Sequence, residues 1–131
     1  MSIDYNRIIF GGRLVNDPEE LGSGKGCKFD MASNRRYKDS SGEQREETTF
    51  VPVTCWAQLG KVVMGRSRKG DAVLVEGRLE VRKFEDAEGN RRSYTNIVAT
   101  DVRFISSRPV KESADVEDKA REILEALMAK K

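Results

Sequence analysis

The chain has 131 residues, enough for one domain whose core needs no disulfide or metal staple. Charged residues make up 35% of it against 37% hydrophobic, yet the formal net charge is only +2, so bulk charge alone does not point to nucleic acid. The chain has no histidine, which removes the commonest acid–base group at neutral pH and lowers the expectation of an enzyme.

Charge is distributed unevenly but mildly: 19 basic residues face 16 acidic ones up to residue 109, and 5 face 6 beyond it. Local clustering therefore has to carry any electrostatic argument. The two cysteines, Cys27 and Cys55, have no ligand residues beside them and make no metal site. Acidic residues are plentiful but form no recognisable metal cluster, so neither catalytic residues nor a cofactor are expected. No apolar run approaches the length of a membrane span or a signal peptide. The expectation is a soluble cytoplasmic protein without a membrane partner, nucleoid-associated or in the host cytoplasm if phage-encoded.

Residues 5–15, YNRIIFGGRLV, read as a first strand, with Gly11 and Gly12 marking a bulge or bend of the kind small barrels use at corners. Asn16-Asp17-Pro18 is a turn signal, and residues 19–26 read as a polar, glycine-rich loop. Residues 27–36 give a second strand, Phe29 and Met31 alternating inward against Lys28 and Asp30. The stretch KDSSGEQREE that follows has no apolar residue and looks like the tip of a long hairpin.

Residues 48–56, TTFVPVTCW, carry the most information. Side chains two apart on a strand share a face, so Val51, Val53 and Cys55 fall together, opposite Phe50, Pro52, Thr54 and Trp56. One face suits a core, where Cys55 would act as a small hydrophobe. The other carries two large rings. After it, Leu59, Val62, Val63 and Arg66 fit a short helix weakened by Gly60 and Gly65.

Residues 72–85 form a long strand, with Val73, Val75, Leu79 and Val81 on the expected core face and Glu76, Arg78, Glu80, Arg82 and Phe84 on the other. Gly77 sits on the core face as a second bend. DAEGN is a hairpin loop, and residues 92–105 return as the last strand. Five strands with one short helix between the third and fourth give an all-β fold: a five-stranded oligonucleotide/oligosaccharide-binding (OB) Greek-key barrel over residues 1–105. Residues 106–114 read as a short polar linker. Residues 115–131 read as a C-terminal amphipathic helix, because Val116, Ala120, Ile123, Leu124, Leu127 and Met128 recur at helical spacing.

Five rings stand apart from the core set: Tyr37, Phe50, Trp56, Phe84 and Tyr94. Three of them sit beside cations, Tyr37 between Arg35-Arg36 and Lys38, Phe84 after Arg82-Lys83, and Tyr94 after Arg91-Arg92. Bases stack on such rings whatever their identity, and phosphates attract such cations. Any single aromatic in a strand is ordinarily core filler, and Phe10, Phe29 and Phe104, in apolar surroundings, are read so. A basic pair on a hairpin is ordinarily just solvated. The coincidence of rings and cations at both hairpins favours single-stranded nucleic acid over a glycan, which would use the rings without needing the cations.

The segments NRIIFGGRLVNDPE, F-x-M-A-x-NRRYKDSSGEQREETTF, W-x-x-L, RKG, VEGRLEVRKFED and GNRR resemble, in that order, the bacterial single-stranded DNA-binding proteins over roughly residues 5–105. The resemblance implies an OB fold and a homo-oligomer, a tetramer or possibly a dimer. It also implies sequence-tolerant binding that coats and protects single-stranded DNA in replication, recombination or repair. It places base stacking on Tyr37, Phe50, Trp56 and Phe84, and phosphate contact on Arg7, Lys69, Arg82, Lys83 and Arg92. Tyr or Phe replaces tryptophan at three of the stacking positions, Glu80 and Gln58 stand where a base is common, and Arg66-Ser67 replaces a bulky apolar pair. The family's flexible glycine-rich tail is not visible, which suggests a phage, plasmid or organelle-like accessory version. The terminal helix is expected to pack on its own barrel, on a sister subunit or on a protein partner. The alternative function is an OB-fold adaptor of the replication or recombination machinery that binds mainly protein.

Overall fold

Strand alternation decides the interior. In the computed structural model, which describes residues 2–106, 121 and 123–128, Val51, Val53 and Cys55 are buried, as are Phe29 and Met31 on the neighbouring strand. The order is β1 (Ile8–Leu14), β2 (Glu19–Leu21), β3 (Gly26–Lys38), β4 (Gln44–Trp56), α1 (Ala57–Arg66), β5 (Ala72–Glu85) and β6 (Arg91–Ser106). β3 and β4 pair antiparallel without a break from Gly26 opposite Trp56 to Lys38 opposite Gln44. β1 pairs with β5 on one side and, through Arg13 and Leu14, with β3 on the other. A short parallel contact of Val53 and Thr54 with Ile97 and Val98 joins β4 to β6. The ring β1–β3–β4–β6–β5 thus closes on itself, the five-stranded barrel expected of an OB fold.

The core comprises Leu14, Cys27, Phe29, Met31, Val51, Val53, Cys55, Val63, Val73, Val75, Ile97, Ala99 and Val102, with Phe10 and Phe104 packed at its margin. On β6 the inward positions switch from odd to even after Ala99. Glu76 pairs with Asp101 but Gly77 pairs with Ala99, so Thr100 is an extra residue, a β-bulge. Gly77 stands at that bulge because a Cβ there would run into the Val98 carbonyl. Cys27 and Cys55 are directly opposed on β3 and β4, both fully buried and both free thiols. The hydrogen bond with the Cys27 thiol, and burial after it, push Cys55 above the ordinary thiol range, so it acts as core and not as a nucleophile.

Three features differ from the sequence reading. Residues 19–21 are not loop: β2 pairs with β3 as a sixth strand outside the barrel ring. The hairpin arms are longer than expected, and only residues 39–43 lie between β3 and β4. Leu79 and Val81 share the core face of β5 by parity but are 38% and 51% exposed. At ~3.3 Å per residue β5 runs some 46 Å, outrunning the barrel, so among the described residues its second half is left uncovered at Leu79 and Val81. In the short helix, Val63 is buried, and the Arg66 guanidinium covers the Phe104 ring at 4.4 Å, filling the place of a bulkier apolar residue.

Both long hairpins end in the same turn, written D-x-x-G-x-x-R. In the first, Asp39 Oδ1 accepts from the amides of Ser41 and Glu43 and from the Ser41 hydroxyl, and Asp39 Oδ2 accepts from Arg45 Nε at 2.9 Å. In the second, Asp86 Oδ1 accepts from the amides of Glu88 and Asn90, and Oδ2 accepts from Arg92 Nε at 3.0 Å. Gly42 and Gly89 supply the left-handed backbone at φ 85° and 83° that each turn needs. Each carboxylate thereby closes its loop as an Asx turn and holds the returning strand by an arginine.

Residues 121 and 123–128 are helical, with Ile123, Leu124 and Leu127 half-buried. Leu124, Leu127 and Met128 share a hollow of about 300 Å³ with Tyr5, Arg7 and Ile9 at the start of the barrel. The linker at 106–114, apart from Ser106, and residues 115–120, 122 and 129–131 of the expected terminal helix lie outside the described residues.

Two measurements check this account. Gly77→Ala should lower the urea midpoint by the equivalent of about 1–3 kcal/mol with an unchanged denaturant slope, because backbone must give way. The turn hydrogen bonds, that of the Ser41 hydroxyl foremost, hold the Asp39 carboxyl down to about 2. A depressed carboxyl stabilises the fold above its unfolded pKa, ~3.9, and loses that contribution as pH falls through the folded value. An NMR titration should find the Asp39 midpoint near 2, and Ser41→Ala should raise it toward the ordinary range. An Asp39 titrating normally in both proteins would discard the turn as described.

Candidate nucleic-acid interface

The outward-parity positions of four strands lie on one side of the sheet. On β4 they are Phe50, Pro52, Thr54 and Trp56; the register sets Ala32, Asp30, Lys28 and Gly26 of β3 opposite them. Thr54 is also the parallel partner of Val98, so the β6 residues on this side are Val98, Asn96, Tyr94 and Arg92. Their partners on β5 are Arg78, Glu80, Arg82 and Phe84. Phe50, Trp56, Tyr94 and Phe84 therefore face the same way across three adjacent strands, 66%, 46%, 40% and 51% exposed. Phe50 and Trp56 are six residues apart on one extended strand, roughly 20 Å.

Local structure holds these rings in place. Beneath them the Thr54 hydroxyl donates to Asn96 Oδ1 at 2.9 Å, a buried bond between β4 and β6. Trp56 is the last residue of β4 and the N-cap of α1. The next residue, Ala57, takes a left-handed backbone (φ 53°), and its amide donates to the Lys25 carbonyl. A side chain in that conformation costs about 1–2 kcal/mol, so the abrupt strand-to-helix turn beside the indole is maintained against strain. The indole lies against Gly26, where any Cβ would press on the ring and on the Cys55 carbonyl.

On β5 and β6 rings and cations alternate. Arg82 is the cross-strand partner of Tyr94, and Arg92 that of Phe84. Glu80, which stands where the resemblance implies a basic residue, takes Arg82 at 2.9 Å and Arg78 at 3.5 Å. Tyr94 also lines an open hollow of about 320 Å³ with Asn16, Glu19, Lys28, Phe29, Asp30 and Pro52. Lys28 was not singled out from the sequence as a site residue, although its alternation against Phe29 and Met31 already placed it outward.

The structure sorts the remaining candidates. Tyr37 is not on the four-ring face: it has the opposite parity from Phe50 along the β3–β4 hairpin, half-buried, with the Arg35 guanidinium 4.8 Å from its ring centre. Arg36 and Lys38 are on the ring side, opposite Glu46 and Gln44. Lys83 and Arg91 are on the reverse side of the β5–β6 hairpin from Phe84. Lys69 is on the loop after α1, its amide held by Asp17. Arg7 precedes β1 and is ion-paired with Glu76.

Pairing divides the nine candidate cations. Arg7, Arg35, Arg82 and Arg92 have carboxylate partners, in Glu76, Glu47, Glu80 and Asp86. Arg36, Lys38, Lys69, Lys83 and Arg91 have none among the described residues. Among the described residues no three His, Cys, Asp or Glu side chains converge to hold a metal ion, and no helix is long and apolar enough to cross a membrane.

Comparison with known proteins gives the family and the fold. A model of the single-strand binding protein family matches residues 5–105. Single-stranded DNA-binding protein 1 of Clostridium acetobutylicum is 36% identical over 108 residues, covering 79% of this chain and 96% of its own. The single-stranded DNA-binding protein of Aquifex aeolicus is 40% identical over 104 residues, 77% of this chain and 70% of its own. Among solved structures, a small single-stranded DNA-binding protein from Streptomyces coelicolor superposes with a TM-score of 0.65 at 28% identity, covering 78% of this chain and 95% of its own. A Plasmodium falciparum SSB in complex with ssDNA shares the fold, with a TM-score of 0.73 at 23% identity over 81% of this chain and 99% of its own. With a closed barrel, an outward row of rings and a family match over 5–105, this chain belongs to the single-strand binding protein family.

Proposed function

We propose that this protein binds single-stranded DNA without sequence preference, coating and protecting it where duplexes are opened for replication, recombination or repair. The observation that carries the reading is the single sheet face on which Phe50, Trp56, Tyr94 and Phe84 are exposed together among cations. Bases splayed from a flexible strand stack on those rings, each contact worth about 1–3 kcal/mol and indifferent to base identity. Tyr37 offers a further ring on the far side of the β3–β4 hairpin, which suits a strand that passes around the hairpin. Phosphate neutralisation falls first to the cations without carboxylate partners among the described residues: Arg36 and Lys38 on the ring side, Lys69 on the loop after α1, and Lys83 and Arg91 on the reverse of the β5–β6 hairpin, for a strand that passes around it. The protein acts in the cytoplasm, where such DNA arises.

The same reading includes assembly of identical subunits. Leu79 and Val81 project from the opposite side of the β5–β6 hairpin from Phe84, so a second copy covering them leaves the rings free. The terminal helix, whose leucines share a hollow with Tyr5 and Ile9, packs in this reading on its own barrel.

The chain has one tryptophan, so intrinsic fluorescence reports on Trp56. Titration with oligo-dT should quench it, with affinity falling steeply as salt rises. Phe50→Ala should weaken binding by about 1–3 kcal/mol, roughly five- to 150-fold, without lowering the melting temperature, since the ring is exposed. Absence of quenching together with weak salt dependence would favour the adaptor reading. Leu79→Asp with Val81→Asp should reduce the solution mass to that of a smaller assembly; an unchanged mass would place the subunit contact elsewhere.

A further inference from the structure

The two hairpin tips carry an inference that rests on the DNA-binding reading and refines it. Arg91 and Arg92 look equivalent in sequence, as do Arg45 and the cations near Tyr37. Their surroundings are not equivalent. Arg92 Nε donates to Asp86 Oδ2 at 3.0 Å, and Arg45 Nε donates to Asp39 Oδ2 at 2.9 Å, with a second contact from Arg45 to Glu43 at 3.5 Å. Each carboxylate is fixed in turn by amides of its own turn, so it cannot swing away without opening the loop. The two amide bonds and the arginine Nε bond match atom for atom at equivalent places in two separate hairpins, the first tip adding the Ser41 hydroxyl and the Arg45–Glu43 contact.

We propose that Asp39 and Asp86 are positioning residues: they hold Arg45 and Arg92 as locks of the hairpin arms and withdraw both from phosphate contact. An Asp–Arg pair is neutral as a unit, and a phosphate approaching the guanidinium also meets the carboxylate. Binding to such a pair releases few counterions, whereas binding to an unpaired cation releases them fully. The adjacent Arg91, with no carboxylate partner among the described residues, is therefore the phosphate contact of the pair, met by a strand that rounds the hairpin from the ring face to the reverse side on which Arg91 stands. Arg92 instead ties the β6 arm beside Phe84, its cross-strand partner, and so fixes the ring's setting. By the same logic, the number of phosphates neutralised is smaller than the number of cations on the arms.

The slope of log affinity against log salt, measured with the full chain and oligo-dT, counts neutralised phosphates at about 0.7 per contact on single strands. Arg91→Gln should make the slope shallower by about 0.7. Asp86→Asn should steepen it by about the same amount, because Arg92 is released. The double variant Asp86→Asn, Arg92→Gln should keep the wild-type slope, since a neutral pair replaces a neutral pair. Arg45→Gln with Asp39→Asn is the matching test on the other hairpin, and also covers a fold failure at the first tip. A double variant whose slope falls by about 0.7 would identify Arg92 as a phosphate contact and overturn the proposal, as would an unchanged slope in Asp86→Asn. Failure of the wild-type protein to bind oligo-dT at all would instead reject the DNA-binding reading and leave the turn geometry untouched.

Discussion

The register between β3 and β4 is the constraint on which the rest depends. From Gly26 opposite Trp56 to Lys38 opposite Gln44 the two strands pair without a shift. Strand side chains alternate with a period of two, so this one alignment fixes Val51, Val53 and Cys55 inward and Phe50 and Trp56 outward. A slip of one residue would place the indole in the core and the valines in water. The alignment is held at both ends, by the Asp39 turn at the tip and by the close approach of Gly26 to Trp56 at the base. The parallel contact at Thr54 and Val98 then passes the same in–out assignment to β6, and β6 passes it to β5.

Much of this was legible in the sequence because it depends on local alternation. The sides of Phe50, Trp56 and Phe84, the buried Phe29 and Met31, the span of β5 and the short helix all follow from periodicity. Gly77 announced the bend, although only pairing shows that Thr100 on the facing strand is the extra residue. What was not legible depends on how far an element reaches beyond its neighbours. Leu79 and Val81 continue the core parity of Val73 and Val75, but burial needs an opposing layer, and alternation carries no information on where that layer stops. Residues 19–21 form a strand because β3 lends an edge, not because Glu-Glu-Leu favours one.

The cations show a different limit. Sequence counts them; structure pairs them. Arg82 stands beside Phe84 in the chain as a phosphate contact would, yet Glu80, two residues away on the same face, takes its Nε. Arg92 is drawn to Asp86 across the turn. These pairs are exposed, so they add little to global stability even where, as at Asp86, they tie a turn locally. They also act on the field: they make the arms less positive than their arginines suggest, in keeping with a net charge of only +2.

Exposed rings are the costly part of the design. A large aromatic left in water forgoes roughly 1.5–3 kcal/mol of burial, and this chain leaves several of them out on a barrel that has a well-filled core. The core explains how the fold tolerates that loss, but not why the rings share a face. Positioning on strands does: a ring on a paired strand is already oriented, so stacking a base need not also order the protein. The same argument covers the locked tips. Hairpin arms free to sway would have to be fixed on binding, at about 1–2 kcal/mol of backbone entropy per residue, and the Asx turns with their arginines remove that requirement before any strand arrives. The register that sets the rings outward and the carboxylates that stiffen the arms are thus two parts of one physical arrangement, a preformed surface for a flexible partner.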